Sequence, residues 1–164
     1  MMYLMDANVF ITAKNEYYGF DFCPGFWNWV KKCPDLRSVQ AVYQELSEGN
    51  DDLKDWVKEL AKTNKDFFLQ TTEEVQIEYA AIIEKLTTHY NRQTAINEYL
   101  DAADSWLIAT AKCHNYTIVT NEKCTMNFSQ RRIRIPEIAF LLGINCIRVF
   151  DVMRQAGVQL EITH

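Results

Sequence analysis

Short apolar runs alternate along the chain with stretches of helical periodicity. The run Met2–Met5 predicts a buried strand that ends at Asp6. Phe67–Leu69 predicts a second strand, and Tyr116–Val119, rich in β-branched residues, predicts a third. Ile147–Val149 predicts the last strand of the chain. Separation of these strands by helical segments is typical of a parallel sheet.

Helices are predicted where apolar residues recur every three or four positions. The predicted helices are Pro24–Lys32, a helix capped by Ser38 and ended by Gly49, a helix beginning at Asp51, a long helix behind the capping sequence Thr71–Glu74, Asp101–Cys113, Pro136–Gly143, and a helix ending near Gly157. The alternation predicts an α/β fold with a mostly parallel central sheet. The sequence contains no linker, internal repeat or low-complexity tract, and residues 1–164 are therefore predicted to form one domain.

Acidic residues stand at the points where apolar elements begin or end. Asp6 directly follows the first strand, and Glu122 lies just beyond the strand that ends in Thr120. Asp104 lies in the first turn of the helix that leads into that strand, and Glu45 lies on an earlier helix. Ligands of open α/β sheets bind beyond the carboxyl ends of the strands, so these acids are predicted to gather there.

Gathered carboxylates repel one another unless a cation lies between them. Two carboxylates about 5 Å apart at an effective dielectric of about 20 cost roughly 3 kcal/mol. Mg²⁺ and Mn²⁺ prefer carboxylate and water oxygens and keep positions open for phosphate. The sequence therefore predicts an acidic Mg²⁺ or Mn²⁺ site.

Each acid taken singly also has a structural interpretation. Asp104 and Asp101 both suit the first turn of a helix, where the macrodipole favours negative charge. Glu45 alone is typical of a solvated helix face, and Asn8 alone is typical of a helix cap. The prediction therefore depends on the set of acids, and Asp101 remains an alternative to Asp104.

The order of these residues resembles the PIN-domain superfamily, which includes VapC-like toxins and related metal-dependent nucleases. The matching stretches are Leu4–Asn8, Val42–Leu46, Asp104–Ala111 and Ile118–Glu122. The resemblance spans roughly residues 1–150 and is closest to a prokaryotic PIN-like subgroup long labelled a domain of unknown function. Two departures stand out: the fourth acid is usually Asp but is Glu122 here, and the segment between Phe20 and Asp35 is longer than in compact toxins.

The resemblance implies a three-layer α/β/α sandwich and hydrolysis of RNA phosphodiester bonds. It implies that Asp6, Asp104 and Glu122 bind one or two Mg²⁺ or Mn²⁺ ions and that Glu45 assists catalysis. Asn8 is expected to orient Asp6 or a metal-bound water, with Thr120 and Asp101 in support.

The resemblance also implies partners. The protein is expected to be the toxin of a type II toxin–antitoxin system, to bind a cognate antitoxin and to form a homodimer. One alternative is a catalytically inactive PIN-like module that binds protein or RNA. The presence of Glu122 in place of the usual Asp favours this alternative. A haloacid-dehalogenase-like phosphohydrolase is disfavoured, because Asn8 stands where that class needs a second Asp.

The overall charge restricts how the chain can bind nucleic acid. Lys and Arg number 17 against 22 Asp and Glu, giving a net charge of −5, which disfavours nonspecific binding over the whole surface. A local cluster, Arg131, Arg132 and Arg134, is predicted to hold RNA or, equally, to form a solvated loop or a clamp on surface acids. Lys31, Lys32 and Arg37 are candidates to extend it. The aromatic residues between Phe20 and Trp29 could stack on RNA bases, or they could pack in the core or at a subunit interface.

Composition and segment lengths predict where the protein resides. Apolar stretches such as Ile138–Ile144 are too short to span a membrane, and the N-terminus resembles no secretory signal. Five cysteines without close pairs indicate reduced thiols. A cytoplasmic protein that binds no membrane is therefore expected.

Overall fold

The computed structural model describes residues 1–123 and 131–162, and these residues build an α/β fold around one parallel sheet. Its strands are β1 (Tyr3–Met5), β2 (Leu36–Val39), β3 (Phe68–Leu69), β4 (Thr117–Val119) and β5 (Cys146–Ile147). All pairings between them are parallel. The predicted fold class is confirmed.

Helices connect all neighbouring strands of the chain within the described residues. They are α1 (Ala7–Thr12, continued by a π-helical turn, Ala13–Tyr17), α2 (Pro24–Lys32), α3 (Gln40–Ser47), α4 (Asp52–Thr63), α5 (Glu73–His89), α6 (Gln93–Asp101), α7 (Ala103–His114), α8 (Ile135–Leu142) and α9 (Val149–Gln155). The described helices do not include one that is both long and apolar enough to cross a membrane.

The strand order β3-β2-β1-β4-β5 reverses direction between β1 and β4. Right-handed crossovers that move outward in opposite directions from this point place helices on both faces of the sheet, which gives the three-layer sandwich. Met5 of β1 pairs with Val119 of β4. The residues that follow these strands therefore meet at one edge, at the position where such sheets bind ligands.

The core lies between the sheet and the helices, and α7 contributes most to it. Leu107 and Ile108 are fully buried. Ser105, also fully buried, donates its hydroxyl hydrogen bond to the carbonyl oxygens of Ala102 and Leu100. These bonds link the end of α6 to the first turn of α7 and fix the position at which α7 begins.

The prediction that Ser38 caps a helix is wrong, because Ser38 lies inside β2. Its hydroxyl donates to the carbonyl oxygen of Met5 at 2.7 Å, and its side chain is fully buried. The chain turns directly from β2 into α3 at Gln40. A buried serine that bonds across neighbouring strands has the same sequence signature as a helix cap, which explains the error.

Two other element boundaries also differ from the prediction. The single helix predicted for Asp101–Cys113 is divided, since α6 ends at Asp101 and α7 begins at Ala103 with Ala102 extended between them. Val149, predicted to end the last strand, instead begins α9. In both cases the sequence pattern continues across a boundary that only tertiary packing defines.

The helix signals at Thr72 and Gly143 and part of the aromatic cluster agree with the structure. Thr72 caps α5 by accepting a hydrogen bond from the backbone N–H of Val75, and Gly143 ends α8 with a φ of 68°. Phe26 and Trp27 are buried, and Trp27 packs edge-on against Trp56 with ring centroids 4.7 Å apart. These aromatic rings therefore belong to the core.

Candidate metal and nucleic-acid site

The candidate site lies at the carboxyl edge of β1 and β4. Asp6 follows β1, while Thr120 and Glu122 follow β4. Because α7 runs antiparallel to β4, its first turn, which carries Asp104, returns to the same edge. Three separate segments thus bring their side chains together at the point where the strand order reverses.

Asp6 is the most deeply buried acid of this site. Its residue is 1% exposed, and its backbone N–H donates to the carbonyl oxygen of Val119. Burial raises the pKa of Asp6 to about 7, and the charges of Asp104 and Glu122 add to the effect. The Thr120 hydroxyl, which donates to Oδ2 at 3.0 Å, and the nearby backbone N–H of Asn8 oppose it.

Asp104 links the buried part of the site to its open side. Burial raises the pKa of Asp104 to about 6, and the negative charges of Glu122 and Glu45 raise it further, while Arg132 lowers it. Glu45 lies on α3 and is exposed. Partial burial and the neighbouring Glu48 raise the pKa of Glu45. Electrostatic interactions therefore connect all four acids that the sequence analysis selected.

Glu122 is held by bonds to two groups. Its Oε1 accepts a hydrogen bond from Nη2 of Arg132 at 3.0 Å, and its Oε2 accepts one from the backbone N–H of Ile135 at 2.9 Å. Its own backbone N–H donates to the Thr120 hydroxyl at 3.2 Å. Thr120 therefore bonds both to the Asp6 side chain and to the Glu122 backbone.

The donor set suits a hard divalent cation in its chemistry. Buried carboxylates with raised pKa values form a site of excess negative charge, and carboxylate oxygens are the ligands that Mg²⁺ and Mn²⁺ prefer. In residues 1–123 and 131–162, however, no three His, Cys, Asp or Glu side chains are grouped so that they could hold a metal ion. The side chain of Glu122 faces Arg132 instead.

Two of the predicted supporting residues lie at the margin of the site. The side chain of Asn8 is exposed, so its contribution to Asp6 comes from its backbone N–H. Asp101, exposed at the end of α6, lines a groove of about 390 Å³ together with Glu45 and Trp106. Of Asp101 and Asp104, it is Asp104 whose charge acts on Asp6.

The arginines of the predicted basic cluster lead into α8. Arg132 pairs with Glu122, Arg131 is exposed, and Arg134 occupies the N-cap position of α8. Arg37 does not extend this cluster, because it lies near the start of β2, at the opposite edge of the sheet. Its guanidinium donates to the backbone carbonyls of Pro34 and Leu36.

Tyr99 is a site residue that the sequence analysis missed. It is 4% exposed, and its hydroxyl has no hydrogen-bond partner among the described residues. Burial raises the pKa of Tyr99 well above 10, and the charges of Asp104 and Glu122 act in the same direction. Its place on the apolar face of α6 is typical of core packing, so only the tertiary structure shows that it lies near the acids.

The family described as "Domain of unknown function (DUF4411)" matches residues 3–160 of the chain. The chain belongs to this family. The match covers all four candidate acids and the arginine cluster, and it agrees with the prokaryotic PIN-like subgroup that the sequence resembles. No curated protein matches the chain.

Solved structures of two toxin–antitoxin complexes have a similar fold. One is VapBC2 from Rickettsia felis, bound to a DNA fragment from its promoter: it is 17% identical, has a TM-score of 0.52, and the match covers 90% of this chain and 98% of that one. The other is FitAcB from Neisseria gonorrhoeae, with 21% identity, a TM-score of 0.55, and 89% and 96% coverage. The similar chains, VapC and FitB, are PIN-domain toxins. The PIN-like fold is thereby confirmed.

Proposed function

We propose that this protein is a Mg²⁺- or Mn²⁺-dependent endoribonuclease and the toxin of a type II toxin–antitoxin system. The observation that supports this most is the acid set at the carboxyl edge of a PIN-like sheet, where Asp6 and Asp104 have pKa values of about 7 and 6. A cation relieves this excess of negative charge. The similar folds of VapC and FitB support the toxin class.

The metal would be held by Asp6, Asp104 and Glu122. The other residues of the site would then have separate tasks. When bound, the metal stabilises charge on the phosphate oxygens and lowers the pKa of an attacking water. The Thr120 hydroxyl orients Asp6 through its bond to Oδ2. Glu45, which is exposed and whose charge acts on Asp104, would accept a proton from water. The arginines before α8 would attract the RNA backbone.

The test is cleavage of a structured RNA by metal-stripped protein, with and without added Mn²⁺. We expect Mn²⁺ to restore cleavage to the wild type, and we expect Asp6→Asn and Asp104→Asn to remain inactive. Asp66→Asn is the matched control, because Asp66 is exposed and precedes β3 at the opposite edge of the sheet. Equal cleavage by the wild type and Asp6→Asn would remove the hypothesis.

A second candidate function is a PIN-like binding module without catalysis. The pairing of Glu122 with Arg132 favours it, because that carboxylate then serves as a structural contact. Calorimetry separates the two functions: a module shows no heat of Mn²⁺ binding at millimolar metal and no metal-dependent rise in Tm.

The toxin class also implies two binding partners, an antitoxin and a second copy of this chain. The VapBC2 and FitAcB structures are complexes with antitoxins, and by analogy we propose a cognate antitoxin for this chain and a homodimer of the toxin. Expression of the wild type is expected to arrest growth, and expression of Asp6→Asn is not. Sedimentation of the purified protein measures the dimer.

A further inference from the structure

One side of α5 presents apolar surface that the rest of the described chain leaves uncovered. Ile77 is 65% exposed, and Ala81, one helical turn further along, is exposed as well. Beside them lies a groove of about 500 Å³, whose walls come from α5 and from Leu141 and Leu142 at the end of α8. This side of α5 therefore combines an exposed apolar side chain with a neighbouring concavity.

The charges along the groove are divided between the two halves of α5. Glu78 lies in the first half of the helix and Lys85 in the second, about two helical turns further along, and both line the groove. Lys85 is exposed and Glu78 is partly buried. Within residues 1–123 and 131–162, neither side chain forms an ion pair. Each is therefore available to an opposite charge on another molecule.

This charge pattern complements itself when two copies of α5 run antiparallel. A two-fold axis that crosses the helix beside Ala81 places Glu78 opposite the partner's Lys85, and the symmetry forms the same pair a second time. A parallel arrangement would instead place like charges opposite one another, which is unfavourable. Ala81 lies between the two pairs, where its small side chain lets the helices approach. The charges therefore favour a second copy of this chain in one orientation.

We propose that the exposed side of α5 and the groove beside it form the surface through which two copies of this chain make an antiparallel dimer. Burial of Ile77 and filling of the groove supply the apolar contact, and the two pairs between Glu78 and Lys85 set the orientation. This inference rests on the proposed homodimer, to which it assigns a surface, and it requires neither metal nor RNA.

The test is sedimentation equilibrium of the full chain and of charge-reversed variants whose far-UV circular dichroism matches that of the wild type. We expect a dimeric wild type, and we expect Lys85→Glu and Glu78→Lys each to weaken the dimer about ten-fold, because two symmetry-related pairs become repulsive. The double variant with both changes restores opposite charges, so its affinity should return to within about three-fold of the wild type.

Lys58→Glu is the matched control, because Lys58 is exposed on α4 and loses the same charge. We expect its dimer affinity to stay within about two-fold of the wild type. Equal weakening by Lys58→Glu overturns the inference, because the effect then comes from net charge.

The remaining outcomes are equally decisive. A dimer that Lys85→Glu or Glu78→Lys leaves intact overturns the inference, and so does a double variant that does not recover. A monomeric wild type overturns it together with the proposed homodimer and leaves this face to another partner, such as an antitoxin. A dimeric wild type that does not cleave RNA with Mn²⁺ would remove the nuclease proposal alone.

Discussion

Replacing Asp6 by Asn should stabilise the metal-free protein, although Asp6 is buried in the centre of the proposed site. Asn keeps the size of the side chain and an oxygen that accepts the Thr120 hydroxyl bond, but it carries no charge. The fold raises the pKa of Asp6 from 3.8 to about 7, so it favours the protonated acid. Above pH 7 the wild type must hold a buried anion, and Asp6→Asn does not.

The magnitude follows from the linkage between proton binding and folding. With pKa values of 3.8 unfolded and about 7 folded, the charge of Asp6 costs nothing well below pH 3.8, and its cost grows with rising pH until about pH 7. Each pKa unit corresponds to a little over 1 kcal/mol, which gives a cost of about 4 kcal/mol at pH 8 and about 2 kcal/mol at pH 5. The advantage of Asp6→Asn should therefore increase by about 2–3 kcal/mol between these pH values.

Urea unfolding in the presence of EDTA measures this difference at both pH values. Asp66→Asn serves as the control, since its exposed side chain loses the same charge. We expect the Asp66→Asn difference from the wild type to be the same at pH 5 and pH 8. If Asp6→Asn were less stable than the wild type at pH 8, or if the difference did not grow with pH, the argument from burial and repulsion would be wrong.

Three further predictions concern single contacts, each measured by urea unfolding. Thr120→Val removes the donor to Asp6 and should destabilise by about 1–3 kcal/mol, with Thr120→Ser close to wild type; equal stability of the two variants would contradict the role of the hydroxyl. Leu107→Ala empties a fully buried position in α7 and should cost about 2–5 kcal/mol; a loss below 1 kcal/mol would place Leu107 outside the core. Thr72→Ala removes the acceptor for the Val75 N–H and should cost about 1 kcal/mol, with Thr72→Ser nearly neutral; no loss would show that the cap is not formed in solution.

The sequence predicts the fold class because its signals are local. Thr72 caps α5, Gly143 ends α8, and the apolar run before Asp6 forms β1. Each of these features depends on residues within one turn or one strand. The predicted parallel sheet then follows from the alternation of strands and helices, and the similar solved structures share that fold.

The signals that failed depend on distant parts of the chain. Ser38 bonds to Met5, 33 positions away in sequence, so β2 cannot be distinguished locally from a helix start. The division of α6 from α7 at Ala102 separates Asp101 from Asp104 and decides which acid faces Asp6. The order of motifs favours Asp104, whose charge acts on Asp6 in the structure, but it does not specify that Arg132 pairs with Glu122.

The central claim is that Asp6, Asp104 and Glu122 share a divalent cation, and a crystal of the wild type soaked in Mn²⁺ tests it most directly. We predict an anomalous peak within bonding distance of oxygens from all three carboxylates. A soaked crystal without a peak at these acids would contradict the claim.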